Sequence, residues 1–355
     1  MRCLRMRTGI LTFHRACNYG AVLQAYALQQ YLSDNGIESE MIDYRCKAVE
    51  QMHSPFYFLY CKGLKNKAKQ FLRLCPRSKK RKVFSRFVKE NIKTSDKIKD
   101  LNGCPNYDVL IVGSDQVWNP LITNFDRGYL LDFASESTKK TSYAASIGLS
   151  SLSEQSSAYF GDYLKSFDYI SLRETDDIET VRGLSGKEPE IQLDPTLTVN
   201  KRIWAEKKIS PKIDNYNLIY SLKSDKKLIS RACEFSKEQK LVNISDTLKR
   251  EKGMNYVPFP SPFEWIGYIA DAEKVFTDSF HGTAFSLIFH KPVVIKLSDN
   301  SVNGNSRILN LLDRLSVNYK RDDLFIEIGS EANWDEIDRK IIEINKTFAF
   351  SERIK

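Results

Sequence analysis

A chain of 355 residues is too long for one ordinary core, which sets an expectation of two domains of roughly 150–200 residues each. Hydrophobic residues at 42% and charged residues at 28% give a globular balance, and Lys plus Arg exceed Asp plus Glu by nine, which favours an anionic partner: a phosphorylated substrate, an acidic membrane surface or nucleic acid. There is no run of about eighteen apolar residues, no signal-peptide core near the start, and no CxxC pair among the seven cysteines; these features exclude a membrane-crossing helix, a disulfide framework and a zinc site, and set the expected compartment as the cytoplasm.

In chain order, residues 9–14 are apolar and β-prone, 15–20 form a polar loop, and 21–32 have helical spacing. Ala21, Ala25, Leu28 and Leu32 share one face of that helix, and Gly36 stops it. Residues 37–44 supply a second strand, with further strands expected at 107–112, 141–147, 169–172 and 190–193. Asp194 and Pro195 open a hinge. Beyond it, strands are expected at 217–222, 241–244, 274–277 and 292–297, and helices at 226–238, 263–272, 283–289 and 306–315. A last amphipathic helix at 334–345 is expected to pack back across the first domain. Strands alternating with helices call for parallel sheets covered on both faces. The fold class is therefore α/β, with two doubly wound Rossmann-like domains facing a central cleft. The expected boundaries are 1–197, 198–330 and a C-terminal helical segment, 331–355. In such folds ligands bind at the carboxyl ends of the strands.

One segment, about 50–100, interrupts the alternation. Residues 62–93 hold thirteen Lys or Arg against a single acid, Glu90, with Phe71, Leu72, Leu74, Val83, Phe84, Phe87 and Val88 interleaved. An apolar run at 55–60 precedes it. Such a basic amphipathic insertion suits an anionic bilayer, and its plainer reading is a solvated helical hairpin. It matches no zinc-finger, RNA-recognition or helix-turn-helix signature, so nucleic acid is not expected as a partner.

The most informative stretch is VFTDSFHGTAFSLIFHK (275–291). A strand ends at Thr277 and a helix is expected to begin near Gly282 or Thr283, which puts Ser279, His281, Gly282 and Thr283 at a strand-to-helix turn. Backbone N–H groups at such a turn attract phosphate or carboxylate, and His281 adds a proton source. The alternative is a buried histidine beside an ordinary Asp278 or Ser279 cap. In DVLIVGSDQVWN (108–119), Ser114 and Asp115 follow the strand. Asp115 can take a proton from a sugar hydroxyl and Trp118 can stack on a sugar ring; otherwise one of the former is a cap and Trp118 is core. In DYISLRE (168–174), Arg173 ends a strand, where a guanidinium can grip a carboxylate or phosphate or else pair with Glu174. Asn18 and His14 flank the first loop as a substrate lip. No dinucleotide or P-loop fingerprint occurs.

Taken in order, NYGAVLQAYALQ (18–29), DVLIVGSDQVWN (108–119), YAASIG (143–148), SLRE (171–174), LDPTL (193–197) and SFHGTAFSLIFHKP (279–292) resemble the polysaccharide pyruvyl transferase family. The resemblance implies a two-domain GT-B-like fold, phosphoenolpyruvate as donor and a cyclic ketal on a hexose. The acceptor it implies is a cell-surface saccharide, often lipid-linked, for capsule, exopolysaccharide or cell wall. By motif position Arg173 and His281 match the arginine and histidine thought to handle the donor. Relatives can carry an arginine where this chain has Ser279; Arg307 is the candidate substitute. His281 is expected as the acid and Asp115 as the base, with no metal or cofactor required. The rivals are a glycosyltransferase using a nucleotide sugar and a non-catalytic membrane- or polysaccharide-binding protein.

Overall fold

Nearly uninterrupted apolar runs such as VLIV and VVIK suit strands buried on both faces, and they form the centres of two sheets. The computed structural model describes residues 6–149, 151–237, 239–245, 250–299, 302–347 and 349–354, with the backbone alone at 302–304. The chain divides into two compact units, Met1–Val199 with Ile344–Lys355, and Asn200–Glu343.

In the first unit the strands are β1 (Thr8–Leu11), β2 (Ser39–Met41), β3 (Val109–Asp115), β4 (Lys139–Ala145), β5 (Ser171–Leu172) and β6 (Glu190–Ile191). They lie in the order β2-β1-β3-β4-β5-β6, and every pairing is parallel. All carboxyl ends therefore emerge along one edge. The helix Tyr19–Asp34 follows β1, and Asn18 caps it by accepting the Ala21 amide at 3.2 Å. The segment Ile344–Lys355 closes this unit: Phe350, fully buried, meets the Tyr143 ring edge-on at 4.8 Å, and Asn345 donates to the Leu197 carbonyl at 2.9 Å. Burying one phenylalanine contributes about 1.5–3 kcal/mol.

Between β2 and β3 the basic insertion is helical: Lys47–Met52, a 3-10 turn at Tyr57–Tyr60, Leu64–Phe71 and Leu74–Asn91. Phe84, Phe87 and Val88 are buried on the last of these. Phe84 and Phe87 pack against Tyr19 and Tyr26 of the first helix at 5.0 and 6.3 Å between ring centres.

The second unit holds β7 (Tyr216–Tyr220), β8 (Lys240–Ile244), β9 (Met254–Val257), β10 (Lys274–Thr277), β11 (Val293–Lys296), β12 (Lys320–Asp322) and β13 (Phe325–Ile328). Their order is β12-β13-β11-β10-β7-β8-β9; the last five of that order run parallel, and β12 and β13 form an antiparallel hairpin against β11. The strands β9, β12 and β13 go beyond the elements expected from sequence. Two of them are edges: β9 is mostly half-buried, and β12 is wholly exposed and reads Lys-Arg-Asp. Charged edges discourage pairing with another chain but leave no hydrophobic signature.

Candidate functional site

In the first unit the chemistry gathers at the carboxyl edge of the sheet. Gly113 makes this possible: it has φ +115, and a Cβ there would lie 2.3 Å from the Tyr143 carbonyl oxygen. Ser114 is then locked inward. Its amide donates to Gln24 Oε1 at 3.1 Å, its hydroxyl donates to the Ala144 carbonyl at 2.8 Å, and its carbonyl accepts from Thr12 Oγ1 at 3.1 Å. Gln24 also donates to Thr12 Oγ1 at 2.8 Å, so the first helix, β1 and β3 are tied at one point. Fully buried, Ser114 has no face for a substrate, which corrects its expected role.

Asp115 follows with its side chain 18% exposed and 3.8 Å from Arg173 Nη1. Arg173 leaves the end of β5 at 3% side-chain exposure. Its Nε donates to Glu174 Oε1 at 2.7 Å and its Nη1 to Asp194 Oδ2 at 3.1 Å. Asp194 in turn caps the Pro195–Thr198 helix through its other oxygen, 3.0 Å from the Thr196 amide. Burial alone would lower the arginine's pKa, but Glu174, Asp194 and Asp115 together push it above the ordinary value. The expected open fork toward an anion is therefore not the arrangement seen, because Nε and Nη1 already engage protein carboxylates. Arg173 holds acids in place.

Sequence reasoning missed Asp177. It accepts the Ile147 amide at 3.0 Å, and burial, with the Glu174 charge second, raises its pKa to about 7. The signal was the acid run after Arg173, Glu174-Thr175-Asp176-Asp177, but such a run reads as a solvated face.

Two further expectations are corrected. Trp118 is fully buried, donates from Nε1 to the Tyr129 carbonyl at 3.0 Å and meets Phe167 edge-on at 5.7 Å; it is core and stacks on no sugar. His14, 1% exposed, lies 3.2 Å from the Thr12 carbonyl and 3.4 Å from Asp43 Oδ1. Burial lowers its pKa, so it forms part of the interior rather than a substrate lip. Burial alone would raise the Asp43 pKa, but hydrogen bonds from His14, Arg15 and Arg45 hold it well below the usual carboxylate range. Asn18 remains at the first helix start, where its side chain serves as the cap.

In the second unit the helix after β10 spans Phe280–Ile288, starting ahead of the expected Gly282 or Thr283. Ser279 is its cap: the Gly282 amide donates to Ser279 Oγ at 3.3 Å, and the Thr283 amide to the Ser279 carbonyl at 2.9 Å. Those amides are already used, so Ser279, Gly282 and Thr283 do not form the expected anion cradle. Gly282 is needed for packing instead, since a Cβ would lie 2.3 Å from Thr277 Oγ1. Asp278 joins the ends of β10 and β7 by accepting from Ser221 Oγ and the Leu222 amide, each at 2.7 Å. His281 stands in the first turn, 8% exposed, its ring edge-on to Phe280 at 5.1 Å. The helix beneath is fixed by aromatic packing: Phe285 meets Trp204 and Trp265 at 5.1 and 5.4 Å. Arg307 is half-buried on the neighbouring helix Val302–Arg314. The other unabsorbed histidine of this unit, His290, stacks on Trp334 and contacts Asp338 at 3.1 Å, a structural clasp.

Among the described residues no three His, Cys, Asp or Glu side chains converge as a metal set. No described helix is long and apolar enough to cross a membrane.

The family model for polysaccharide pyruvyl transferase matches residues 18–300. No protein of curated function matches the chain at significant similarity. Among solved structures, a UDP-N-acetylglucosamine 2-epimerase is similar at 12% identity with a TM-score of 0.51, covering 99% of this chain and 97% of that one. A putative UDP-N-acetylglucosamine 2-epimerase from Listeria monocytogenes is 11% identical with a TM-score of 0.47, covering 99% and 90%. The E. coli heptosyltransferase WaaC with ADP is 12% identical at 0.40, covering 85% and 90%. Likeness at this identity concerns the fold alone, which is α/β with parallel sheets and of the GT-B kind.

Proposed function

Because the chain belongs to the polysaccharide pyruvyl transferase family, we propose that it moves the pyruvyl group of phosphoenolpyruvate onto two hydroxyls of a hexose, forming a cyclic ketal and releasing phosphate. The observation carrying this reading is the family match over 18–300, which encloses Asp115, Arg173 and His281. The acceptor is a saccharide carried on a lipid, destined for capsule or exopolysaccharide, and the protein works in the cytoplasm at the membrane's inner face.

The roles follow from the local chemistry. Asp115 is the most exposed of the three acids facing Arg173, and it serves as the base for the attacking hydroxyl. Arg173 positions it, and Glu174 and Asp194 fix Arg173 in turn. His281, in the first turn of the Phe280–Ile288 helix, is the acid that protonates the donor's methylene carbon. The Arg307 guanidinium balances the donor's negative charge, with each hydrogen bond to a charged group worth about 1.5–3 kcal/mol. As the methylene becomes a methyl group, the adjacent carbon gains cationic character and one sugar hydroxyl attacks it. Phosphate leaves with its bonding electron pair, and the second hydroxyl closes the ring and releases its proton. Proton transfers alone balance this sequence, so the proposal invokes neither metal nor cofactor. Acid–base assistance contributes about 10²–10⁴-fold.

The test is a panel of galactosides, mannosides and lipid-linked saccharides offered with phosphoenolpyruvate. Phosphate release must depend on the acceptor, and the product mass must rise by pyruvate less water. Turnover only with a nucleotide sugar, or none with any acceptor, rules the reading out.

A further inference from the structure

Of the twelve large apolar side chains exposed among the described residues, seven fall between Met52 and Leu72: Met52, Phe56, Leu59, Tyr60, Leu64, Phe71 and Leu72. Leu64 is 86% exposed, Leu72 67% and Phe71 55%. On the helix Leu64–Phe71, Leu64, Ala68 and Phe71 recur at spacings of four and three, so they form one stripe, and Lys65, Lys67 and Lys69 flank it. None of this helix's residues is buried. The remaining half of the insertion is firmly held: Phe84 and Phe87 pack on the first helix, Arg81 pairs with Glu50 at 2.7 Å, and Arg77 donates to the Met52 and Ser54 carbonyls at 3.0 and 3.2 Å. The result is an apolar tip on an anchored stalk.

Charge selects what covers the tip. Between Gln51 and Lys89 there is no Asp or Glu, and residues 62–93 carry thirteen basic groups against one acid, an imbalance larger than the whole chain's excess of nine. An apolar stripe in a basic field, with Tyr57 and Tyr60 beside it, has the chemistry of an anionic phospholipid surface. Headgroups meet the lysines, aromatic rings sit at the interface, and the stripe enters the acyl boundary. We propose that the segment from Met52 to Leu72 docks the protein on an anionic bilayer. This deepens the proposed function, since a lipid-linked acceptor resides at such a surface, but it is measured without any transfer reaction.

The experiment sediments the full chain with vesicles of pure phosphatidylcholine and of phosphatidylcholine mixed with phosphatidylglycerol. Binding is expected to the mixed vesicles only, and to weaken with added salt. The pair Leu64→Glu with Phe71→Glu lowers partitioning at least tenfold while the melting temperature stays put, because both side chains are exposed. Each of Lys65→Gln and Lys69→Gln lowers it about fivefold. The proposal is overturned if the parent ignores anionic vesicles or if the double variant binds as well as the parent. It is equally overturned if the variants instead abolish self-association or nucleic-acid binding in a chain that ignores vesicles. Vesicle binding without pyruvyl transfer removes the proposed reaction and leaves the docking surface standing. Transfer to a soluble acceptor without vesicle binding does the reverse.

Discussion

The carboxyl edge of the first sheet and the helix start after β10 in the second unit hold their candidate residues by different forces. Around Arg173 the restraint is charge: one buried guanidinium faces Asp115, Glu174 and Asp194 within 3.8 Å. Around His281 it is volume: Phe285 is wedged between Trp204 and Trp265, and Gly282 fits against Thr277 with no room for a methyl group. A geometry held by charge fails when a charge is removed or titrated. A geometry held by packing tolerates a changed charge and fails when a volume changes.

Arg173→Ala tests the first half most severely. It strands Glu174 and Asp194 in the interior without a counter-charge, and removing one partner of such a pair costs about 3–5 kcal/mol. Urea unfolding reads the loss directly, and Arg173→Lys, which keeps the charge but not the fork, loses less. His281→Ala is the control in the second unit: stability changes by only about 1 kcal/mol, whereas transfer falls about 10²–10⁴-fold. Equal stability losses in the alanine variants would erase the distinction between the two regions.

Volume changes have the opposite pattern. Phe285→Ala opens a cavity between two tryptophans and is expected to cost about 3–5 kcal/mol, independent of pH and salt. Gly282→Ala costs about 1–3 kcal/mol, because the added carbon forces a shift against Thr277 Oγ1. Thr277→Ala in the same chain recovers part of that loss. Recovery stays incomplete because Thr277 Oγ1 also accepts the Ser279 amide at 3.1 Å. If the double variant is no more stable than Gly282→Ala alone, the crowding lies elsewhere.

The two regions also differ in what the sequence disclosed. The central strands were legible because burial on both faces demands long apolar runs, and β10 matches the expected 274–277 to the residue. The charged edge strand β12 had no such signal. Near His281 the helix began earlier than expected because Ser279, offered by the sequence only as an alternative cap, is the residue that caps it. Near Arg173 the difficulty was different. The adjacent Glu174 was legible as a partner and is one, but Asp115 and Asp194 are far from Arg173 in sequence, so nothing local says that the second arm of the guanidinium is engaged as well. Trp118 belongs to the same motif as Asp115, yet it turns into the core against Phe167, a contact that only the folded chain makes.

Asp177 offers the finest test, since it belongs to the charge-held region yet is itself kept from ionising. Its pKa rises from 3.8 to about 7, chiefly by burial and then by the Glu174 charge. The folded protein therefore binds more protons than the unfolded chain between those two values. Stability must fall as pH rises through that window and level off above it, while below about pH 4 the penalty vanishes. Asp177→Asn presents a permanently neutral side chain whose carbonyl still accepts the Ile147 amide. The variant should match the parent near pH 4 and exceed it by about 1–3 kcal/mol at pH 8. The same pH series on Phe285→Ala should run parallel to the parent, because no titrating group has changed. Parallel curves for Asp177→Asn as well would mean that the carboxyl is ionised in the fold, and that the acids around Arg173 are balanced by solvent or by neighbours rather than by burial.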